Sequence, residues 1–159
     1  MNPLSIVILA AGMGTRMKSN LPKPLHPIGG RPMLAHVINS ARHLNPQKLI
    51  VVYGHKGELL QAAFSHHKDI TWAEQKTFNG TGDAMRYALP FCGKDHHVLV
   101  LYGDTPLINP KTLKTLVAKL EETPLAWLTA LSPTPFGYGR IIRDEAKKMI
   151  AIVEEKDAT

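Results

Sequence analysis

Cysteine is almost missing from this chain: Cys92 stands alone among 159 residues. That excludes an intramolecular disulfide framework and any zinc site built from clustered cysteines. Long hydrophobic runs are missing as well. The first apolar stretch, residues 4–11, is far shorter than the roughly 20 residues a membrane span requires. No basic segment precedes it, so it does not read as a signal peptide. Acidic residues are absent before Glu58. Together these absences predict a soluble protein of a reducing compartment, placed in the cytoplasm, with no membrane partner.

What is present points to one globular domain over residues 1–159. Apolar residues make up 44% and charged residues 20%, which disfavours disorder. The 19 Lys and Arg outnumber the 13 Asp and Glu, for a net charge of +6. The excess is confined to the first third, where Arg16, Lys18, Lys23, Arg31, Arg42, Lys48 and Lys56 face no acid. Such asymmetry suggests a polyanionic partner. Nucleic acid is one candidate, but these cations are spread through a loop-rich region without interleaved aromatics. A small phosphorylated ligand explains the four charges between Arg16 and Arg31 at least as well, and a solvated basic face is the plain alternative.

Strand and helix patterns alternate along the chain. Residues 4–9 form a continuous apolar run, as in a strand buried on both faces. Residues 10–32 are rich in Gly, Pro and cations and read as loop. Leu34, Val37, Ile38 and Ala41 recur at helical spacing after Pro32, predicting a helix over 33–43. Strands are expected at 49–53, 70–74, 98–102, 126–131, 140–143 and 150–154. Further helices are expected at 58–64, from Gly80 to Pro90, and at 112–120. This alternation predicts a mostly parallel α/β sheet with helices on both faces. The chain stops just after an apolar run, at an uncovered edge, which predicts a domain whose C-terminal part is missing.

The loop after the first strand carries the chemistry. It reads Leu9-Ala-Ala-Gly-Met-Gly-Thr-Arg16-Met, then Leu21-Pro-Lys-Pro-Leu-His26. Gly12 and Gly14 let backbone N–H groups approach phosphate oxygens, and Arg16 and Lys23 neutralise them. The dinucleotide-binding fingerprint is disfavoured: its third glycine is Met17, and no acid follows the second strand, where Tyr53-Gly-His-Lys56 stands. The P-loop is disfavoured too, because no Gly-Lys-Ser/Thr occurs. His66-His67 and His96-His97 lack partners at metal-ligand spacing and read as solvated loop histidines. Cys92 reads as a packing thiol.

The Leu-Ala-Ala-Gly-x-Gly-Thr-Arg-Met loop followed by Pro-Lys resembles that of the sugar-nucleotide pyrophosphorylases, which have a Rossmann-like nucleotidyltransferase fold. Gln75 followed by Gly80-Thr-Gly-Asp-Ala84, and Leu99-Val-Leu-Tyr-Gly-Asp-Thr-Pro-Leu107, extend the likeness. So do Phe136-Gly-Tyr-Gly-Arg-Ile141 and Ile152-Val-Glu-Glu-Lys-Asp-Ala-Thr159. In this order the segments resemble the N-terminal domain of the bacterial bifunctional N-acetylglucosamine-1-phosphate uridylyltransferases/glucosamine-1-phosphate acetyltransferases. The resemblance implies transfer of a uridylyl group from UTP to N-acetylglucosamine 1-phosphate, releasing pyrophosphate. It implies that Leu9, Ala10, Ala11, Gly12 and Gly14 meet the nucleotide, and that Arg16 and Lys23 hold the triphosphate as catalytic cations. It places Gln75, Gly80 and Thr81 at the uracil edge. Asp104 becomes the catalytic Mg²⁺ ligand, with Tyr102, Gly103, Gly139 and Glu154 on the sugar side. No nucleic-acid partner is implied.

The chain departs from that pattern at several points. The family commonly has His where Asp83 stands, and a free carboxylate there would repel phosphate or ribose oxygens. Pro24 stands where a branched aliphatic residue is usual. A second Mg²⁺ ligand and a further sugar contact come from segments beyond Thr159 in the family, which predicts weak turnover or none. The trimerising acetyltransferase half is absent as well, so acetyl-CoA binding is not expected. The alternatives are a related nucleotidyltransferase for another sugar or base, and a nucleotide-binding remnant without catalysis.

Overall fold

The computed structural model describes residues 2–157 apart from 13, 15 and 16. It divides into two compact units, Met1–Ala126 and Trp127–Thr159.

The first unit opens with β1 (Leu4–Leu9), followed by a 3-10 turn at Lys23–Leu25 and a minimal hairpin of β2 (Pro27–Ile28) and β3 (Arg31–Pro32). Then come α1 (Met33–Arg42), β4 (Lys48–Tyr53), α2 (Gly57–Ala63), β5 (Ile70–Glu74), α3 (Thr81–Ala88), β6 (His97–Tyr102) and α4 (Pro110–Ala118). The main sheet has the order β5-β4-β1-β6, and every pairing in it is parallel.

Alternation along the strands explains the layers. Ile6 and Ile8 of β1, Leu49 and Val51 of β4, and Leu99 and Leu101 of β6 point to one face. There they pack with Leu34, Val37, Ile38 and Ala41 of α1, Leu60 of α2 and Leu113 of α4. Val7, Ile50, Val52 and Ala73 point to the other face, against Ala84 and Ala88 of α3. The runs of β1 and β4 are apolar at consecutive positions because both faces are covered, whereas Val100 and Tyr102 on the other face of β6 are exposed. Helices therefore lie on both faces of a parallel sheet, as the sequence predicts.

The chain winds outward from β1 to β4 and β5, then returns past both to β6 on the far side of β1. Helix α3 carries that return on the opposite face. Open α/β sheets bind ligands beyond the carboxyl ends of strands where winding reverses. Here that point is the carboxyl end of β1, beside that of β6. Local signals fix the flanking helices. Asn109 Oδ1 accepts the Lys111 N–H at 2.8 Å, capping α4, and Pro110 occupies its first position.

Two expectations need correction. Residues 126–131 form no strand. Their apolar composition matches a strand, but a strand exists only where a neighbour completes its ladder, and Trp127, Leu128 and Leu131 are exposed instead. The four neighbouring histidines are also not uniformly solvated loop residues. His96 Nδ1 shares a hydrogen bond of 2.8 Å with the buried Ser5 hydroxyl, and His97 begins β6.

The second unit is an antiparallel hairpin of β7 (Arg140–Arg143) and β8 (Met149–Val153). Arg140 donates hydrogen bonds to the carbonyls of Pro135 and Tyr138, bracing the turn before β7. No helix among the described residues is long and apolar enough to cross a membrane.

Burial makes stability predictions concrete. Leu34 is fully buried between α1 and the sheet, whereas Leu107 is 87% exposed. Leu34→Ala is expected to lower the unfolding free energy by about 2–5 kcal/mol. Leu107→Ala should change it by less than about 0.5 kcal/mol. Urea titration followed by circular dichroism checks both.

The Arg42 guanidinium forks onto both Asp69 oxygens at 2.7 and 2.9 Å, tying α1 to the turn before β5. Its hydrogen bonds hold the Asp69 carboxyl below the usual value of 3.8, against partial desolvation. A lowered carboxyl adds stability that is present above the unfolded value and is lost as pH falls through the folded one. The drop in urea midpoint from pH 7 to pH 3 should therefore be smaller in Asp69→Asn than in the unaltered chain.

Candidate active site

A cleft of about 320 Å³ opens at the carboxyl ends of β1 and β6. Its floor is the end of β1 and the residues after it: Leu9, Ala10, Ala11 and Gly12. The strand ends are laced together. Ala10 N–H donates to Val52 O at 2.8 Å, and Gly103 N–H donates to Leu9 O at 2.9 Å. A methyl group at Gly103 would sit 3.1 Å from Ala10 Cβ and 3.3 Å from Leu9 O, so glycine permits this close approach.

Charge gathers at one side of the cleft. Lys23 begins the 3-10 turn, Asp104 follows β6, and Lys23 Nζ lies 2.7 Å from Asp104 Oδ2. The two are 81 positions apart in sequence. Each side chain is about one-third exposed, at 35% and 38%. Such a pair contributes little to stability, because water screens it. Its consequence is positional: an ammonium and a carboxylate are held together at the cleft wall.

Gly14 positions Lys23. It takes φ +60°, and a Cβ built on it would lie 2.9 Å from Lys23 Cβ. Gly14 lines a neighbouring recess of about 380 Å³ rather than the main cleft, together with Gly12, Lys18, His55 and Lys56. Its left-handed backbone sets it against Lys23, within reach of that side chain's Cβ.

Among the described residues, the opposite side of the cleft carries no charged lining residue. Gln75 is buried at the end of β5, where its N–H donates to Tyr53 O at 2.8 Å. Gly80 and Thr81, at the start of α3, line the cleft beside it. The Asp83 carboxylate stands behind this side, accepting hydrogen bonds from Gln75 Nε2 at 3.3 Å and Thr77 Oγ1 at 3.1 Å.

The structure thus brings Leu9, Ala10, Ala11, Gly12, Lys23, Gln75, Gly80, Thr81, Tyr102 and Asp104 to one cleft. Gly103 supports it from below by its contact with β1. Arg16 lies outside the described residues. Gly139 and Glu154 belong to the second unit. There Arg140 pairs with Val153, so Gly139 and Glu154 flank the same open end of the hairpin.

Sequence reasoning missed three lining residues, Pro24, Phe78 and Ala84. Phe78 carried a signal: a lone aromatic within the polar run Lys76-Thr77-Phe78-Asn79. Its ring packs over Gly54 at the end of β4. Pro24 and Ala84 stand inside the quoted motifs, Pro24 as a departure from the family pattern, but neither reads as a site residue in the sequence. Among the described residues, no group of three or more His, Cys, Asp or Glu is arranged to hold a metal.

Gly14→Ala would force a Cβ into the left-handed region and against Lys23. It should cost about 1–2 kcal/mol. Gly12→Ala, whose added Cβ meets nothing within 4 Å, should cost much less. Urea unfolding of the two variants side by side checks the contrast.

A family model described as a MobA-like NTP transferase domain matches residues 6–154. The bifunctional protein GlmU of Nitrosomonas europaea is 49% identical over 157 residues, which covers 98% of this chain and 34% of that protein. The bifunctional protein GlmU of Cupriavidus pinatubonensis is 53% identical over 156 residues, again 98% of this chain and 34% of the relative. The chain therefore spans 34% of the length of each of these relatives. Among solved structures, Rv0371c from Mycobacterium tuberculosis H37Rv matches 74% of this chain and 60% of its own, with a TM-score of 0.63 and 25% identity.

Proposed function

Because this chain belongs to the MobA-like NTP transferase domain family, we propose that its cleft binds UTP and transfers the uridylyl group to N-acetylglucosamine 1-phosphate. The products are UDP-N-acetylglucosamine and pyrophosphate. The relatives named GlmU support the choice of reaction. The observation that carries it is the layout of the cleft, with the Lys23–Asp104 pair on one wall and the Gln75 amide on the other.

In this reading a sugar-phosphate oxygen attacks the α-phosphorus in line. The new O–P bond forms as the bond to the β-phosphate oxygen breaks, and pyrophosphate leaves with the electron pair. Such transfers depend on positioning and charge neutralisation more than on covalent chemistry. Lys23 neutralises phosphate charge from the cleft wall, and Arg16 is assigned the same task from the glycine-rich loop. The backbone of Leu9, Ala10, Ala11 and Gly12 positions the nucleoside. Gln75, Gly80 and Thr81 read the base. Tyr102 and Gly103 are assigned to the sugar in the first unit; for the hairpin, taken by itself, a sugar-side role is proposed for Gly139 and Glu154.

The site chemistry fits a magnesium ion. Asp104 offers a hard carboxylate oxygen that already holds a cation, the Lys23 ammonium. A lone carboxylate suits Mg²⁺, which completes its shell with water and substrate phosphates rather than with a protein cage. When bound, Mg²⁺ would supply neutralisation of the charge on the phosphates. Lys23 would then exchange Asp104 for phosphate oxygens. A cytoplasmic setting, where UTP is available, fits this reading.

Pyrophosphate release with Mg²⁺, UTP and N-acetylglucosamine 1-phosphate tests the proposal. Release is expected with UTP above the other nucleoside triphosphates. Asp104→Ala should reduce it by about 100-fold or more. Release that survives Asp104→Ala would overturn the assignment of that residue. No binding of any nucleoside triphosphate would overturn the reading of the cleft.

A further inference from the structure

Among the described residues lining the cleft, Gln75 is the one buried polar side chain, at 5% exposure. An amide offers a donor on one side and an acceptor on the other, so its orientation decides what it can read. Here the surroundings fix the orientation. Nε2 faces two acceptors: Asp83 Oδ2 at 3.3 Å and the Gly80 carbonyl oxygen at 3.5 Å. A flipped amide would set its own oxygen against both, leaving lone pair facing lone pair.

Asp83 is in turn held by a chain of hydrogen bonds. Thr77 Oγ1 donates to the same carboxylate oxygen at 3.1 Å. That uses the one hydroxyl proton of Thr77, so the 3.0 Å contact with Tyr87 Oη has Tyr87 as donor. Partial desolvation raises the Asp83 pKa. Hydrogen bonds from Gln75, Thr77 and the Asn79 backbone, with the charge of Arg86, outweigh it and hold the carboxyl below its ordinary value. An ionised carboxylate only accepts, so it always claims the N–H side of Gln75. Both of these Gln75 side-chain bonds use Nε2 and leave Oε1 to a residue that lines the cleft.

We propose that Asp83 is a specificity-determining positioning residue: by orienting the Gln75 amide, it makes the cleft present an acceptor and so selects a base with a ring N–H. Uracil offers such a group at N3. Cytosine has a lone pair at the same ring position, which would meet Oε1 as acceptor against acceptor. The inference rests on the nucleotide reading of the cleft and adds to it the origin of base choice. It also assigns a task to a residue that sequence reasoning treated only as an obstacle.

The test compares dissociation constants of UTP and CTP by calorimetry at pH 7 for the unaltered chain, Asp83→Asn and Thr77→Val. The unaltered chain is expected to prefer UTP by about tenfold or more. In Asp83→Asn the new amide can donate to a flipped Gln75. UTP should then weaken while CTP tightens, bringing the ratio to within about twofold. A merely structural role would weaken both nucleotides together. Thr77→Val keeps the charge and removes one tether, so the preference should shrink without reversing. Equal binding of UTP and CTP by the unaltered chain would overturn the proposal while leaving the nucleotide site in place. A ratio unchanged by Asp83→Asn, or a parallel loss of both nucleotides, would do the same. Binding of neither nucleotide would remove the nucleotide reading, and this inference with it.

Discussion

The carboxyl ends of β1 and β6 lie side by side, joined by the hydrogen bond from Gly103 N–H to Leu9 O. The rest of the site depends on that contact. β1 is buried on both faces by helices, so its position is over-determined by packing. β6 borrows that rigidity through a parallel ladder running from Leu4 opposite His97 to Leu9 opposite Tyr102. Two backbones can approach this closely because Gly103 adds no side chain between them. Asp104, one residue on, is thereby held beside Lys23 at the cleft wall. A charged group on a rigid strand end suits catalysis better than one on a free loop, since phosphoryl transfer depends on placement.

The charged wall and the uncharged wall of the cleft are built by different means. On the charged wall, Lys23 and Asp104 neutralise each other across a partly solvated gap. Water screens that pair, so opening it for a polyanion and a cation costs little. On the other wall, Gln75 is buried and its amide is locked by neighbours. The contrast suits a ligand with a mobile, highly charged end and a flat, neutral end that must be identified. An exchangeable ion pair can admit phosphates, while a locked amide can discriminate.

The hairpin of β7 and β8 shows how register places residues that are distant in sequence. Gly139 and Glu154 are fifteen positions apart in the numbering. The pairing of Arg140 with Val153 brings them to the same end. Arg140 itself is occupied by the Pro135 and Tyr138 carbonyls and lies 3.8 Å from the Glu155 carboxylate. It braces the hairpin from the turn before β7.

Much of this protein is determined by its sequence alone. Apolar runs at residues 4–9 and 49–53 mark strands buried on both faces, because nothing polar interrupts them. The spacing of Leu34, Val37, Ile38 and Ala41 marks a helix, because four residues on one stripe must face a core. The glycine-rich loop with its cations is legible as a candidate anion site, because that chemistry is local to one segment. Tertiary structure alone decided the rest. It paired Lys23 with Asp104, added Pro24, Phe78 and Ala84 to the cleft, set Gly14 against Lys23, and left 126–131 without a ladder. It also turned Asp83 from a stray charge into the partner of Gln75. The physical reason is common to all of these. Periodicity and local motifs report what each residue prefers to face, whereas distances across the cleft follow from how separate strands and helices pack.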